Sequence, residues 1–250
     1  MTAPSIEDTW IRRYHRAPDS PIQLVCFPHA GGSASFYFPV SRTLSPAVDV
    51  SAVQYPGRQD RRSEPNIETI AGLADAITEA VRPLTGGPLA FFGHSMGAVL
   101  AYEVALRLER DGAAPLVRLY VSGRRAPSRV RAETVHKLDD EGIIAELRDL
   151  SGTDSDLLSD PGALEMFLPA VKNDYRAVET YRDIPGRSVN CPITALIGDS
   201  DPRVTTDEAN AWADHTTGPF DLRVFPGGHF YLVDQAQPVL QLIADGLTSG

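Results

Sequence analysis

The chain has 250 residues, of which 42% are apolar and 22% charged, as expected of one ordinary globular domain. Its formal net charge of −10 argues against nonspecific nucleic-acid binding, which depends on Lys and Arg neutralising phosphates. No apolar run is long enough to cross a bilayer, and residues 1–8 lack the basic and apolar regions of a secretory signal, so we expect a cytoplasmic protein that contacts no membrane. Cys26 and Cys191 are interpreted as small buried hydrophobes rather than as a disulfide, which fits a reducing compartment.

Patterns typical of strands and helices alternate along most of the chain, which predicts an α/β fold with a mostly parallel central sheet and helices on both faces. Helices are predicted at 67–82, at 96–108, after a capping box formed by Thr205 and Glu208, and at 238–247. The predicted strands are 24–27, 48–54, 89–92, 116–121, 193–197 and 222–225.

The alternation stops between the strands predicted at 116–121 and 193–197. Residues 127–185 have only helical patterns, including 141–150 and a run after Asp160-Pro161. We interpret the chain as one domain, 1–250, with a helical insertion at 127–185 that lies over the site as a lid. The alternative is a crossover helix elaborated for stability.

The segment Gly93-His94-Ser95-Met96-Gly97 joins a short apolar strand to a helix. A nucleophilic serine requires such a strained strand-to-helix turn, and glycines two residues on either side avoid collisions with neighbouring backbone. The helix start also directs amide groups and the positive end of the helix dipole towards a developing oxyanion. Ser95 is therefore the candidate nucleophile, although a turn that merely contains a serine has the same local pattern.

A serine nucleophile needs a histidine base and a carboxylate that orients it, in the chain order Ser, Asp, His for this type of fold. Of the six histidines, only His229 follows a late strand on a Gly-Gly loop, so His229 is the candidate base. His94 belongs to the serine turn, and we expect it to pack or form a hydrogen bond beneath that turn.

Two aspartates compete for the orienting carboxylate, because both follow the strand predicted at 193–197. Asp201 lies further into the loop and precedes a proline that stiffens it, so we favour Asp201. Asp199 is placed where a carboxylate often caps the turn that leaves a strand. The residues alone leave this choice open.

A second amide donor for the oxyanion is expected in the loop after the first predicted strand. This loop is Pro28-His29-Ala30-Gly31-Gly32-Ser33, in which two glycines allow close backbone approach. The Ala30 and Met96 amides are therefore the candidate oxyanion hole. The alternative of a phosphate-binding loop is disfavoured because the dinucleotide fingerprint and the Lys-Ser/Thr pair are both missing.

Five motifs together resemble an external, type II thioesterase, and the resemblance covers nearly the whole chain. They are Phe-Pro-His-Ala-Gly-Gly at 27–32, Tyr-Pro-Gly-Arg at 55–58, Gly-His-Ser-Met-Gly at 93–97, Gly-Asp-Ser-Asp-Pro at 198–202 and Gly-Gly-His-Phe at 227–230. The family consists of stand-alone α/β-hydrolases that remove aberrant or stalled acyl groups from carrier proteins of polyketide synthases and nonribosomal peptide synthetases. The stretch 168–175, with Glu179 and Tyr181 after it, is similar to the family's lid helix.

The resemblance implies Ser95 as nucleophile, His229 as base and Asp201 as orienting acid, with the amides of Ala30 and Met96 as the oxyanion hole. It implies no metal or diffusible cofactor. The substrate is then an acyl thioester on the phosphopantetheine of an acyl or peptidyl carrier protein, and the enzyme is expected to be a monomer.

The resemblance also separates two kinds of thioesterase. Integrated chain-terminating domains usually place the acid one strand earlier, where this chain has Ser122-Gly123-Arg124-Arg125 without a carboxylate, so the stand-alone type is favoured.

Alternative functions are a medium-chain fatty-acyl-carrier thioesterase, a small-ester esterase, and a noncatalytic ligand-binding protein on this fold. Seven arginines either form a basic rim for an acidic carrier protein or are solvated surface residues; they are Arg58, Arg61, Arg62, Arg124, Arg125, Arg129 and Arg131.

Overall fold

The computed structural model describes residues 5–150 and 160–248. Seven strands in this part of the chain form one sheet in the order β1-β3-β2-β4-β5-β6-β7. All neighbours are parallel except β1 and β3, so the predicted mostly parallel sheet is confirmed. The strands are β1 Ile11–Arg12, β2 Gln23–Phe27, β3 Asp49–Val53, β4 Leu89–His94, β5 Arg118–Ser122, β6 Ile193–Gly198 and β7 Phe220–Phe225.

The helices flank this sheet, and their bounds lie within a few residues of those predicted where a prediction was made. Thr205 and Glu208 form the predicted capping box at the start of α7. The α-helices are α1 Ile6–Trp10, α2 Phe38–Leu44, α3 Ile70–Val81, α4 Met96–Arg110, α5 Asp140–Asp149, α6 Pro161–Thr180, α7 Thr206–Asn210, α8 Tyr231–Asp234 and α9 Ala236–Thr248. Short 3₁₀ helices occur at Ala34–Tyr37, Gln59–Arg61, Arg82–Gly86, Val135–Lys137 and Ala211–His215.

The sheet separates two apolar cores because side chains alternate between its faces. Along β2, Val25 and Phe27 pack in the core with α3 and α4, whereas Leu24 and Cys26 pack in the core with α2 and α9. All six residues of the central strand β4 are buried, as expected for a parallel strand covered on both faces. Both cysteines are free and buried, which confirms their interpretation as small hydrophobes.

The region between β5 and β6 contributes helices to the described structure. The 3₁₀ turn Val135–Lys137 and the helices α5 and α6 enclose a smaller apolar cluster of their own. Residues 151–159 of the predicted insertion lie outside the described residues. The cluster is formed by Val135, Ile143, Leu147, Leu168, Val171 and Tyr175. Among the residues described, no helix has the length and apolar character needed to span a membrane.

Candidate active site

Ser95 occupies the turn between β4 and α4 with φ 55° and ψ −116°, a conformation that non-glycine residues rarely adopt. Its amide donates to the Ser122 carbonyl at 2.8 Å, which ties the turn to the end of β5. A Cβ atom on Gly93 would lie 2.1 Å from the Gly97 carbonyl oxygen, and one on Gly97 would lie 2.0 Å from the Phe27 carbonyl oxygen. Both glycines are therefore required by backbone packing around the serine.

Gly97→Ala is expected to destabilise the protein by about 3 kcal/mol or more, because the added methyl group meets backbone that cannot rotate away. Urea unfolding at equilibrium measures the loss. Gly86→Ala is the matched control, since a Cβ there meets nothing within 4 Å, and it is expected to leave the midpoint unchanged or slightly raised. Equal midpoints for the two variants would contradict this account of the turn.

His229 follows β7 and is buried against Asp201, which follows β6. The Nδ1 atom lies 2.9 Å from Asp201 Oδ2 and 3.1 Å from Oδ1. Since an ionised carboxylate only accepts hydrogen bonds, Nδ1 carries the proton in this arrangement and Nε2 has the free lone pair. Asp201 Oδ1 also accepts from the Arg203 amide at 2.8 Å, so the carboxylate is held from both sides.

Asp199 occupies a different position from Asp201. Its Oδ1 atom accepts a hydrogen bond from the Gly227 amide at 3.0 Å, and the Asp199 amide donates to the Phe225 carbonyl at 2.8 Å. Asp199 thus fastens the loop after β6 to the loop that carries His229. Of the two candidate aspartates, the structure brings Asp201 into contact with the histidine.

Ser95 and His229 line one narrow cavity of about 40 Å³ at the carboxyl end of the sheet, and Ala30 lies in its wall. Met96 is the first residue of α4, so its amide has no acceptor within the helix. The remaining wall comes from His29 and Phe230, from α5 and α6, and from the loops after β5 and β6. A reacting carbonyl in this cavity would be close to a serine, a histidine and the start of a helix.

Four charged residues also line this cavity: Arg124, Glu133, Glu179 and Arg203. Glu179 on α6 accepts from the Val135 amide at 2.9 Å and from the His136 amide at 3.1 Å. Burial lowers the pKa of Arg124 to about 10, which still leaves it charged at neutral pH. Sequence reasoning did not assign Arg124 or Glu133 to the cavity, although the position of Arg124 just after β5 was an available signal.

His94 lies beneath the serine turn, as predicted, and is fully buried. Its Nδ1 atom is 2.9 Å from Ser122 Oγ, which in turn lies 2.7 Å from the Tyr231 hydroxyl. Its ring centroid is 5.0 Å from that of His229. Burial, reinforced by the neighbouring histidines His229 and His29, lowers the pKa of His94 well below its usual value of 6.5.

The depressed pKa of His94 predicts a pH-dependent stability. Below about pH 6.5 the unfolded chain takes up a proton on this histidine while the folded protein does not, so the free energy of unfolding falls as the pH falls. The contribution is up to about 1.4 kcal/mol per pH unit. Urea unfolding at several pH values is expected to give a shallower slope for His94→Asn than for the wild type, and identical slopes would contradict the prediction.

Neither alternative for the seven arginines, a basic rim or solvated surface residues, describes the three that are buried. Arg58, Arg61 and Arg125 are buried, and each is paired with a carboxylate: Asp174, Glu64 and Glu133 respectively. Arg131 forms an ion pair with Glu208. Arg62 and Arg129 are exposed, and Arg124 faces the cavity. The local density of arginine in the sequence did not reveal these pairs, of which Arg58–Asp174 and Arg131–Glu208 join residues 116 and 77 positions apart.

The described part of the chain contains no cluster of metal-binding side chains. Among residues 5–150 and 160–248, no group of three or more His, Cys, Asp or Glu side chains is arranged to hold a metal ion.

The strand order, the serine turn after β4 and the His–Asp pair after β7 and β6 define the α/β-hydrolase class. Comparison with known proteins then identifies the family within this class. The thioesterase domain model matches residues 22–247, so the chain belongs to the thioesterase family and is a hydrolase that acts on thioesters.

Similar proteins include two Streptomyces thioesterases and one solved type II thioesterase. The probable cadicidin biosynthesis thioesterase of Streptomyces griseus is 53% identical over 98% of this chain and 68% of its own length. Thioesterase PikA5 of Streptomyces venezuelae is 51% identical over 95% of this chain and 85% of its own length. The structure of the type II thioesterase BorB from the borrelidin biosynthetic cluster has a TM-score of 0.90 and 50% identity, covering 98% of this chain and 99% of that one.

Proposed function

We propose that this chain is a stand-alone type II thioesterase that removes stalled or aberrant acyl groups from the phosphopantetheine of carrier proteins in polyketide or nonribosomal peptide biosynthesis. The observation that carries the proposal is the cavity that contains both Ser95 and His229, with the buried carboxylate of Asp201 on the far side of the imidazole. Family membership and the nearly full-length match to BorB support the thioester substrate and the stand-alone form.

In the proposed mechanism, His229 Nε2 takes the proton from Ser95 Oγ as the oxygen attacks the thioester carbonyl. The Ala30 and Met96 amides hold the negative charge of the tetrahedral intermediate. The C–S bond then breaks, the imidazolium gives its proton to the departing pantetheine sulfur, which leaves as the thiol, and an acyl-enzyme remains. Water, activated by the same histidine, releases the acid and restores the serine. Asp201 keeps Nδ1 protonated and stabilises the imidazolium without being protonated itself.

Residues 127–185 form the lid in this proposal. Leu147 of α5 and the α6 residues Tyr175 and Val178 line the cavity around the serine, so these helices cover the site and limit access of water. The residues of these helices that face the cavity are expected to set the range of acyl groups accepted.

The partner in this proposal is an acyl or peptidyl carrier protein that delivers the acylated phosphopantetheine. The name of the cadicidin relative and the origin of BorB in the borrelidin biosynthetic cluster support a biosynthetic role of this kind. A monomeric enzyme in the cytoplasm belongs to the same proposal. Because several arginines of the expected basic rim are buried in ion pairs, contact with an acidic carrier cannot depend on all seven.

Parallel assays test this function. Acylated carrier proteins, acyl-CoA thioesters and nitrophenyl esters are incubated with enzyme and followed by mass spectrometry, with Ser95→Ala as the blank. The expected result is the highest kcat/KM on carrier-bound acyl groups. A clear preference for medium-chain acyl carriers would indicate the fatty-acyl thioesterase instead, and a preference for nitrophenyl esters would indicate an esterase. No turnover of any substrate by the wild type would leave a noncatalytic binding protein.

A further inference from the structure

Asp174 is a carboxylate on α6 that is 0% exposed yet is not part of the Ser95–His229–Asp201 group. It forms a bidentate salt bridge with Arg58, in which Nη1 lies 2.6 Å from Oδ2 and Nη2 lies 3.0 Å from Oδ1. The same Oδ2 atom accepts a hydrogen bond from the Gly31 amide at 2.8 Å. One buried carboxylate therefore connects the helix over the cavity to two loops of the sheet domain.

The loop held by Asp174 is the one that contains Ala30. Arg58 also contacts this loop, since Nη1 lies 3.3 Å from the Gly32 carbonyl oxygen. From the other side, the Tyr55 hydroxyl donates to the Pro28 carbonyl at 3.0 Å. The segment 28–32 is thus fixed at both ends, and its Gly31 end is fixed by a residue of α6.

Packing shows that α6 and this loop fit each other closely. Gly31 has φ 74°, and a Cβ atom there would lie 2.7 Å from Val171 Cγ2 and 3.2 Å from the Phe167 ring, both on α6. The loop adopts a backbone conformation suited to glycine, directly against the helix. Its shape therefore depends on the position of α6.

We infer that Asp174 is a positioning residue that aligns the oxyanion-hole loop, so that this hole is complete only while α6 is seated on the sheet domain. The inference rests on the proposed role of the Ala30 amide. The Gly31 amide that Asp174 fixes belongs to the peptide unit directly after the one that carries the Ala30 amide. Because peptide units are planar, fixing one leaves only the two backbone dihedrals of Ala30 to orient the other. Seating of the lid and stabilisation of the transition state are coupled through this carboxylate.

The main test is the double variant Arg58→Met/Asp174→Leu, which removes both charges together and so leaves no buried unpaired ion. The kcat on an acylated carrier is expected to fall by about 10- to 100-fold, as for a small misplacement of a catalytic group, while KM stays within about threefold. Labelling of Ser95 by a fluorophosphonate is expected to slow in parallel, since its phosphoryl oxygen needs the same amides. Asp174→Asn keeps an oxygen that can accept from the Gly31 amide, so its kcat is expected to fall less than that of the double variant.

Arg176→Met is the matched control, because it breaks the ion pair of α6 with Glu68, which is exposed, and leaves Asp174 in place. Its kcat is expected to equal that of the wild type. Urea midpoints establish the folded fraction of each variant, and Asp174→Asn replaces the double variant in the comparison if the latter does not fold. A kcat per folded molecule within about twofold of wild type in the double variant, or in Asp174→Asn when it stands in, would overturn the inference. Near wild-type turnover in Ser95→Ala would refute the proposed function instead.

Discussion

Ser95→Ala is expected to lower kcat for carrier-bound thioesters by about a millionfold, as for removal of the nucleophile in other serine hydrolases. The hydroxyl supplies the attacking oxygen, and no other described serine lines the cavity with His229. Residual hydrolysis some thousandfold above the uncatalysed rate is expected, because the amides and the binding surface remain. Single-turnover assays with acylated carrier, read by mass spectrometry, measure the loss.

The fold of this variant is expected to be unchanged, since alanine has the same backbone constraint at φ 55° as serine. Ser200→Ala, at an exposed serine in the loop after β6, is the matched control and is expected to retain full activity. A Ser95→Ala protein with near wild-type turnover and an unaltered urea midpoint would remove Ser95 from the mechanism.

Asp201→Asn is expected to lower kcat by about ten-thousandfold with little change in stability. An amide nitrogen facing Nδ1 favours the histidine tautomer in which Nε2 carries the proton, so Nε2 is unable to accept one from the serine. Steady-state kinetics on the same carrier substrate measure the effect, with KM expected to change little.

Asp199→Asn is the control for this prediction, because its amide oxygen still accepts the hydrogen bond from Gly227. Its kcat is expected to stay within about threefold of wild type. If Asp199→Asn were the more damaging change, the orienting acid would have to be reassigned to Asp199.

Most of the sheet was predictable because each strand carries its own local signal. Strands such as β4 and β6 are short apolar runs bounded by glycine or loop residues, and their ends were predicted to within a few residues. The two-residue strand β1 was missed. It pairs Ile11 with Val53 and Arg12 with Ala52, and so short a segment becomes a strand only through this long-range contact.

The serine turn and the candidate histidine were readable for a similar reason, since glycines mark both loops. The contacts of the buried charged side chains could not be predicted from the sequence. Arg58 and Asp174 are 116 residues apart in the chain, and a pairing over that distance leaves no periodic or local pattern. The same separation hid the interior position of Arg58, for which the sequence alone allows either a rim or a surface arginine. Arg125 pairs with Glu133 eight residues away, but no local pattern shows that this pair is buried.

The two buried thiols have a practical consequence for measuring motion of α6. Burial raises the pKa of the Cys26 thiol, and it raises the pKa of Cys191 to about 12, so both react slowly with alkylating dyes in the folded protein. A cysteine introduced at Met166, which is 67% exposed on α6, would then take up a maleimide fluorophore selectively in an otherwise native background. Movement of the α6 helix of the lid can then be followed by fluorescence during turnover, and neither natural cysteine has to be removed first.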